Sequence, residues 1–314
     1  MPTSKVKRNP HRDITLKVLE QMREYGTGWS KPWKGSAVNG LHYNPATGTV
    51  YAGGNQILLW VAAANLDSSD SRWSTYKGWQ KLGHPVPKGE KAGAYIVAPT
   101  PFEVKDSKGK PVLDSKGKPK TGMGFRAEAL WNAQQVGAEP LVAEVRDPVA
   151  VLEKVEDFIA NYISATGVKL VIQPGSERAY YSPIKDKIVI PSIEDFYGDT
   201  PAEKQQAYYG TELHEVGHST GEKSRLNRVE IYERNEENYA KEELCAEMFA
   251  VLACAALGIE HTPSPDHAQY LASWMKALEN DERLFFRAAN KAQKALEYVQ
   301  SKQPNTNDAA EQAA

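Results

Sequence analysis

The pattern of apolar and polar positions predicts a chain of helices and short strands. In the first half, an apolar stripe from Ile14 to Met22 follows Asp13, a good helix N-cap, so a helix is predicted over residues 13–25. Pro32 excludes a regular helix from the tryptophan-rich segment that comes next. Further helices are predicted at 55–65 and 76–82, and strands at 95–102 and 125–131.

The second half has longer helices around a group of short apolar runs. Its order of elements indicates an α+β protein, and a length of 314 residues favours two domains. The predicted helices are 149–166, one that starts near 201, 240–257 and 266–299, and the predicted strands are 169–173, 179–181 and 187–190.

Composition supports a division near residue 140. Residues 1–140 hold 20 Lys and Arg against 11 Asp and Glu, a net charge of +9, whereas the remainder holds 18 against 29, a net charge of −11. Six of the seven tryptophans lie in the first half. A basic, tryptophan-rich half joined to an acidic half indicates two tasks. We predict a disordered basic N-terminus at 1–10, a first domain at 11–140, a second domain at 141–300 and a disordered tail at 301–314.

A short repeat interrupts the first domain. The sequence Asp-Ser-Lys-Gly-Lys-Pro occurs at 106–111 and again at 114–119. An eight-residue period is too short for a solenoid, so the segment 105–121 is predicted to be a mobile hairpin or surface loop rich in Lys and Gly. Its lysines are either solvated or in contact with phosphate.

The second domain carries an H-E-x-x-H motif, His214-Glu215-Val216-Gly217-His218, inside a predicted helix. Two histidines at i and i+4 project from one helix face, so both imidazoles can bind one Zn²⁺ ion, or another divalent metal such as Mn²⁺. Glu215 is then beside the open coordination position, where it can act as the general base of a metallopeptidase. The alternative without a metal is a surface helix with two solvated histidines.

A catalytic zinc needs a third protein ligand. One subclass of zinc peptidases supplies a histidine six residues after the motif, but this chain has Ser224 there. Glu243 and Glu247 share a face of the next predicted helix, which is otherwise apolar. We predict that Glu243 binds the metal and that Glu247 orients a histidine ligand. Glu242 is expected to be a solvated charge, and His261 to be structural or exposed.

The short strands before the motif fit this interpretation. In zincin folds, the edge strand of a small sheet pairs with an extended peptide substrate. Residues 179–181 and 187–190 are both candidates for that edge, and the sequence does not decide between them.

Aromatic and basic residues alternate in the first domain. The bases of single strands stack on exposed aromatic rings while basic groups follow the phosphates, whereas duplex bases stack on one another. The composition therefore favours single-stranded DNA as a partner, with little sequence preference. Trp60 is expected to be a core residue, and about half of Trp29, Trp33, Trp73 and Trp79 to be packing residues. The predicted DNA-binding residues are Trp29, Lys31, Trp33, Lys34, Trp73, Tyr76, Lys77, Lys88, Lys91 and Arg126.

Other features argue against secreted and membrane proteins. No apolar run approaches the roughly 20 residues that span a bilayer, and the basic N-terminus has no apolar core like that of a signal peptide. The two cysteines, Cys245 and Cys254, are nine residues apart in one predicted helix, too far for a disulfide. We expect a cytoplasmic protein.

Several motifs in order resemble a known family over roughly residues 11–300. The first half resembles the N-terminal single-stranded-DNA-binding domain of the ArdC-type antirestriction proteins, which also begins certain plasmid primases. The second half is similar to the zincin-like metallopeptidase domain of that family. The motifs are Gly28-Trp29-Ser30-Lys31-Pro32-Trp33, Asn44-Pro45-Ala46-Thr47-Gly48, Gly54-Asn55-Gln56-Ile57-Leu58-Leu59-Trp60, Arg72-Trp73-Ser74-Thr75-Tyr76, Val86-Pro87-Lys88-Gly89-Glu90-Lys91, His214-Glu215-Val216-Gly217-His218-Ser219-Thr220-Gly221, Ser224-Arg225-Leu226-Asn227-Arg228 and Glu242-Glu243-Leu244-Cys245-Ala246-Glu247.

The resemblance implies a plasmid- or phage-encoded protein that meets DNA entering a cell as a single strand and protects it from host restriction. The leading hypothesis adds that the metal domain hydrolyses proteins on that DNA. The alternative is a DNA-binding shield whose metal domain is structural or docks a partner. Hydrolysis of a nucleic-acid bond is less favoured, because H-E-x-x-H with one carboxylate builds a mononuclear site, whereas nucleases often use two metals.

Overall fold

A computed structural model gives the fold of most of the chain. Trp29, Lys31, Trp33 and Lys34 lie outside the described residues, as do both predicted disordered termini apart from residues 301–304. The positions described before residue 40 are helical, in agreement with a helix at 13–25, but Arg12 is already helical, so the helix begins before the predicted N-cap Asp13. The structure describes residues 12, 15–16, 19–20, 23, 40–141, 148–233, 235–259, 275–276, 278–281 and 283–304.

Between residues 40 and 141, the first domain is a three-stranded antiparallel sheet with two α-helices. The order of strands is β1–β3–β2, and the long β2–β3 ladder pairs Ala94 with Leu130 and Glu103 with Thr121. The second helix begins where the Thr75 hydroxyl accepts a hydrogen bond from the Gly78 N–H, an N-cap. The elements are α1 (Gly54–Asn65), β1 (Trp73–Ser74), α2 (Tyr76–Lys81), β2 (Ala94–Glu103) and β3 (Thr121–Asn132).

The repeated segment extends the β2–β3 ladder outward as two tandem turns. In the first, Oδ1 of Asp106 accepts hydrogen bonds from the backbone N–H groups of Lys108 and Lys110. In the second, Asp114 makes the same two bonds one repeat later. Asp side chains commonly close turns in this way. The repeat therefore forms a hydrogen-bonded arm, and its lysines are exposed.

The second domain packs helices against a small mixed sheet. Strand β6 is central, parallel to β4 and antiparallel to β5. The helix with the H-E-x-x-H motif contacts β5 and β6 on one side and the long helix α5 on the other. The elements are α3 (Pro148–Thr166), β4 (Lys169–Ile172), β5 (Tyr180–Ser182), β6 (Lys187–Ile190), α4 (Pro201–Ser219), α5 (Glu236–Leu257) and α6 (Leu284–Gln300), with single 3₁₀ turns at Ile193–Asp195 and Val229–Ile231.

The two domains share one hydrophobic core. Helix α1 of the first domain packs on α6 of the second, and the Gly53 N–H donates to the Gln293 side chain across the junction. A Cβ atom added at Gly54 would lie 2.8 Å from the Phe286 ring, so glycine permits the close approach of the two helices. No helix among the described residues is both long enough and apolar enough to cross a bilayer.

Two predictions about the C-terminal region are wrong. The helix predicted over 266–299 is not continuous, because residue Asp281 is non-helical and its side chain and carbonyl accept hydrogen bonds from the Arg283 and Leu284 N–H groups. The first residues of the predicted disordered tail are ordered. Gln303 donates hydrogen bonds to the carbonyls of Phe158 and Val299, which anchors this residue on α3 and α6.

Candidate functional site

The structure brings together the three side chains predicted to bind a metal. His214 and His218 lie one turn apart on α4, and Glu243 faces them from α5. One nitrogen or oxygen atom from each of the three residues lies within 4.8 Å of the others. Packing of α4 against α5 is close because Gly217 has no side chain, and a Cβ there would lie 2.8 Å from the Phe249 ring. The sequence spacing thus becomes a compact cluster of donors.

The separations of these atoms fit a tetrahedral ion. The two Nε2 atoms are 3.1 Å apart, and they lie 3.4 and 3.5 Å from the two carboxylate oxygens of Glu243. Ligands about 2.0–2.1 Å from a tetrahedral Zn²⁺ are about 3.3 Å from each other. Three side chains that offer nitrogen and oxygen donors at this spacing have the chemistry and the separations of a divalent metal site.

Each histidine also contacts a second glutamate on its far side. Nδ1 of His214 lies 3.5 Å from Glu247, the residue predicted to orient a histidine. Nδ1 of His218 lies 3.2 Å from Oε1 of Glu242. The prediction that Glu242 is a solvated charge is wrong, because Glu242 is buried. A carboxylate behind an imidazole fixes the ring orientation and its tautomer, so both glutamates can orient ligands.

Arg228 holds Glu242 in place and was missed by the sequence prediction. Its guanidinium donates to both carboxylate oxygens of Glu242, at 2.9 and 2.6 Å, and also to the Gly217 carbonyl and the Thr220 hydroxyl. Arg228 and Glu242 are both buried, so the pair depends on these bonds for its stability. The sequence did offer one indication of such a residue. Two adjacent glutamates in an otherwise apolar helix are expected to need a cation nearby if they are buried.

Burial and the neighbouring charges shift the pKa values of Glu215, the predicted general base, and of the predicted metal ligands. Burial raises the pKa of the Glu215 carboxyl, and His218 and His214 oppose that rise without cancelling it. Burial alone would lower the pKa of His218, but Glu243 and Glu242 raise it to about 9. Glu243 responds in the opposite way, since the two histidines hold its pKa well below the usual range against the effect of burial.

A cleft of about 1240 Å³ opens over this cluster. Strand β5 forms one wall, and Glu215, His214 and His218 form part of the floor. Since β6 is paired on both sides, 187–190 is not an open edge. Among the described residues, β5 is an edge strand that contacts α4, and the backbone N–H of Tyr181 donates a hydrogen bond to the Glu215 carboxylate. The structure therefore decides between the two candidate edge strands in favour of β5. Large exposed side chains at the rim are Tyr180, Ile184, Tyr197 and Tyr239.

The predicted DNA-binding residues divide into buried and exposed groups. Trp73 is 0% exposed, and its indole N–H donates to Nδ1 of the buried His42. The prediction that Trp73 stacks on DNA is therefore wrong, because its ring faces are covered by the core. Trp79 is a packing residue, 1% exposed, and Trp60 is a core residue as predicted. The side chains of Tyr76, Lys77, Lys88, Lys91 and Arg126 are exposed.

Trp131 contacts both the helix that carries Tyr76 and Lys77 and the loop that carries Lys88 and Lys91. The sequence did not predict it as a DNA-binding residue. Its ring meets the Tyr76 ring edge-to-face at a centroid distance of 6.2 Å. Its indole N–H donates to the carbonyl of Glu90, in the loop that carries Lys88 and Lys91. Arg126 lies farther along β3 and pairs with Glu128 at 2.8 Å. Tyr76, Lys77, Lys88 and Lys91 therefore belong to one region.

Comparison with known proteins gives matches to both domains. A family model described as the N-terminal domain of anti-restriction factor ArdC matches residues 8–127, and one described as a zincin-like metallopeptidase matches residues 153–291. Two Escherichia coli proteins named DNA primase TraC are 36% and 33% identical to this chain over 299 and 307 residues. These matches cover 92% and 94% of this chain but only 20% and 27% of the two primases.

Other relatives match over their whole length. An uncharacterized protein of Sinorhizobium fredii, y4eC, is 29% identical, with 96% of both chains covered. The metal-free crystal structure of the antirestriction protein ArdC from plasmid R388 has a TM-score of 0.74 and 30% identity, covering 94% of this chain and 98% of that one. The Mn(II)-bound structure of the same protein has a TM-score of 0.71, covering 95% and 100%. With both domains matched in the same order along nearly the full length, this chain belongs to the ArdC family of antirestriction proteins.

Proposed function

We propose that this protein binds single-stranded DNA entering the cell, protects it from host restriction, and hydrolyses a protein on that DNA with its metal domain. The observation that carries the proposal is the convergence of His214, His218 and Glu243 with the buried Glu215 at the floor of a cleft. A binding-only protein has no need for a buried carboxyl beside three metal ligands.

The residues of the cleft fit peptide hydrolysis. His214, His218 and Glu243 would hold Zn²⁺ or Mn²⁺; Mn(II) occupies the related ArdC protein of R388. A divalent metal there supplies a Lewis acid that polarises the scissile carbonyl. Glu215 would take the proton from the attacking water and pass it to the leaving amine, and burial, which raises the pKa of its carboxyl, makes it a stronger base than an exposed glutamate.

Strand β5 supplies a means of orienting the substrate. Its outer edge lies along the cleft wall. Apart from the Tyr181 N–H, which bonds Glu215, this edge can pair with an extended peptide by backbone hydrogen bonds with little demand on the peptide sequence. The apolar side chains of Ile184 and Tyr197 at the rim would then contact the substrate on either side of the strand. The substrate must therefore present a locally unfolded segment.

The first domain would supply the DNA. The basic charge of residues 1–140 and the exposed Tyr76, Lys77, Lys88 and Lys91 suit phosphates and unstacked bases. Because α1 and α6 pack together, DNA held by the first domain stays near the cleft, and proteins on that DNA reach the metal site at a raised effective concentration.

A Glu215→Gln variant tests the proposal. Cleavage of a mixed-sequence fluorogenic peptide library should fall at least 100-fold, while the affinity for a single-stranded oligonucleotide stays unchanged. Protection of plasmid DNA transferred into a restricting host should fall with cleavage. No cleavage by the wild type, or equal cleavage by the variant, would contradict the peptidase. Full protection by the variant would favour the DNA-binding shield.

A further inference from the structure

The outer part of one face of strand β3 is exposed to solvent, and its inner part is half-buried. Alternate residues of a strand share a face, and this face carries Thr121, Met123, Phe125, Ala127, Ala129 and Trp131. The first four are exposed, and Ala129 and Trp131 are half-buried. On the neighbouring strand β2, the same face carries Tyr95, opposite Ala129, and the buried Val97. This surface, which we name the β3 face, is therefore a shallow strip.

The β3 face has one aromatic ring near its middle, Phe125, another at its inner end, Trp131, and small side chains between them on β3. Phe125 is 54% exposed and Tyr95 is 50% exposed. Trp131 lies six residues from Phe125, about 20 Å along the strand, and its ring is extended sideways by the edge-to-face contact with Tyr76. The small side chains of Ala127 and Ala129 leave a shallow trough between the two rings. Flat rings separated by a low trough can stack with successive bases of an extended strand.

The opposite face of the same ladder has a different character. Near its base it is buried against α1, through Ile96 and Leu130. Farther out, Phe102 covers Gly122, where a Cβ atom would lie 2.6 Å from the ring. Arg126 on this side is paired with Glu128. Phe102 is 52% exposed, nearly the same as Phe125. The Trp73 ring on that face is buried with Ile96 and Leu130, so it offers no second exposed ring beside Phe102.

Positive charge flanks the β3 face at both ends. Lys77 follows Tyr76, and Lys88 and Lys91 lie in the loop that accepts the hydrogen bond from Trp131. At the other end, the arm at 105–120 carries six lysines against two aspartates. Both carboxylates are already engaged in closing turns. A polyanion that follows the strip therefore meets lysines at each end.

We propose that single-stranded DNA lies along the β3 face, with bases stacked on Tyr76, Trp131 and Phe125 and with phosphates near the lysines of the arm and of the 88–91 loop. The proposal rests on the proposed DNA binding and assigns it a surface. Single strands fit better than duplex DNA, because only an unpaired base has both faces free to stack on a protein ring. The arm then provides affinity that depends on salt, and the rings provide affinity that does not.

Three leucine variants test this surface. Leucine keeps apolar area in place but removes the flat ring. Tyr76→Leu and Phe125→Leu should each weaken binding of a fluorescent oligo(dT) about tenfold with the salt dependence unchanged. Phe102→Leu, on the opposite face with matched exposure, should leave affinity unchanged. Thermal unfolding of each variant checks that the fold is intact.

A fourth variant tests the charge. Replacing Lys108, Lys110, Lys116 and Lys118 by serine should reduce the slope of log affinity against log salt while base stacking remains. Equal affinity of the wild type and both ring variants would overturn the β3 face and leave DNA binding in place. A loss confined to Phe102→Leu would place the DNA on the opposite face. Absence of wild-type binding would overturn the proposed function itself.

Discussion

Nδ1 of His218 lies 3.2 Å from Oε1 of Glu242, and the same carboxylate is held by the guanidinium of Arg228. The second histidine of the motif is thus oriented from behind by a buried ion pair. Orienting carboxylates typically change metal affinity 10–100-fold. We expect Glu242→Gln to weaken Zn²⁺ binding at least tenfold without changing its stoichiometry, as measured by competition with a chelator of known affinity.

A matched control for this variant lies on the same helix. Glu237 is exposed and pairs with Lys241 one turn later, away from the metal ligands. Glu237→Gln should therefore bind Zn²⁺ as the wild type does. Equal affinities for the Glu242 and Glu237 variants would show that the contact with His218 has no effect on the metal.

We expect a substitution of Arg228 to lower the free energy of unfolding before it changes activity. Arg228→Met leaves the buried Glu242 carboxylate without its partner, and breaking a buried pair in this way costs about 3–5 kcal/mol. Urea unfolding should show that loss. The double variant Arg228→Met/Glu242→Leu removes both charges and should recover most of it. A loss below about 1 kcal/mol for Arg228→Met would mean that water or another cation compensates the carboxylate.

His42 is expected to make the stability of the first domain fall at acidic pH. Burial lowers the pKa of His42 to about 3, against 6.5 for an unperturbed histidine, and the nearby Asp70 only partly opposes this. The unfolded chain therefore binds more protons, so the contribution of His42 to stability is complete above pH 6.5 and falls as the pH drops toward 3.

The matching variant is His42→Asn, which keeps an acceptor for the Trp73 indole. Between pH 7 and pH 5, the wild type should lose about 2 kcal/mol of unfolding free energy more than the variant does. The other titrating groups cancel in this difference. Parallel stability curves for the two proteins would indicate that the pKa of His42 is the same in the folded and the unfolded chain, which would contradict the lowered value.

The junction of the two domains should not tolerate a methyl group at Gly54. Its Cβ would lie 2.8 Å from the Phe286 ring. Such overpacking typically costs about 1–3 kcal/mol. Gly54→Ala should lower the thermal unfolding temperature, whereas Ala64→Ser, at an exposed position of the same helix, should not. Unchanged unfolding of Gly54→Ala would show that the two helices can move apart freely.

The metal ligands were predictable because their geometry is local. The spacing of His214 and His218 is set by one helical turn, and a single carboxylate from the next helix completes the set. Glu242 was misjudged because α5 is buried nearly all round, so no apolar stripe indicates which of its glutamates face solvent. Arg228 comes from a turn whose approach to α5 depends on tertiary packing alone.

In the first domain, the sequence pattern likewise does not show which aromatic residues are exposed. Trp73 and Tyr76 are three residues apart in a segment of mixed polarity, yet one is 0% and the other 50% exposed. Trp73 belongs to β1 and faces the core, whereas Tyr76 begins α2. Composition predicted a nucleic-acid partner, but the surface depends on strand register, which joins Trp131 to residues more than 40 positions away.

The central claim is that His214, His218 and Glu243 form one divalent metal site. Calorimetric titration with Zn²⁺ and with Mn²⁺, on metal-stripped wild type, Glu243→Gln and the exposed control Glu237→Gln, tests it directly. We predict one ion per chain for the wild type and the control, and affinity reduced at least 100-fold in Glu243→Gln. The same affinity and stoichiometry in all three proteins would contradict the site.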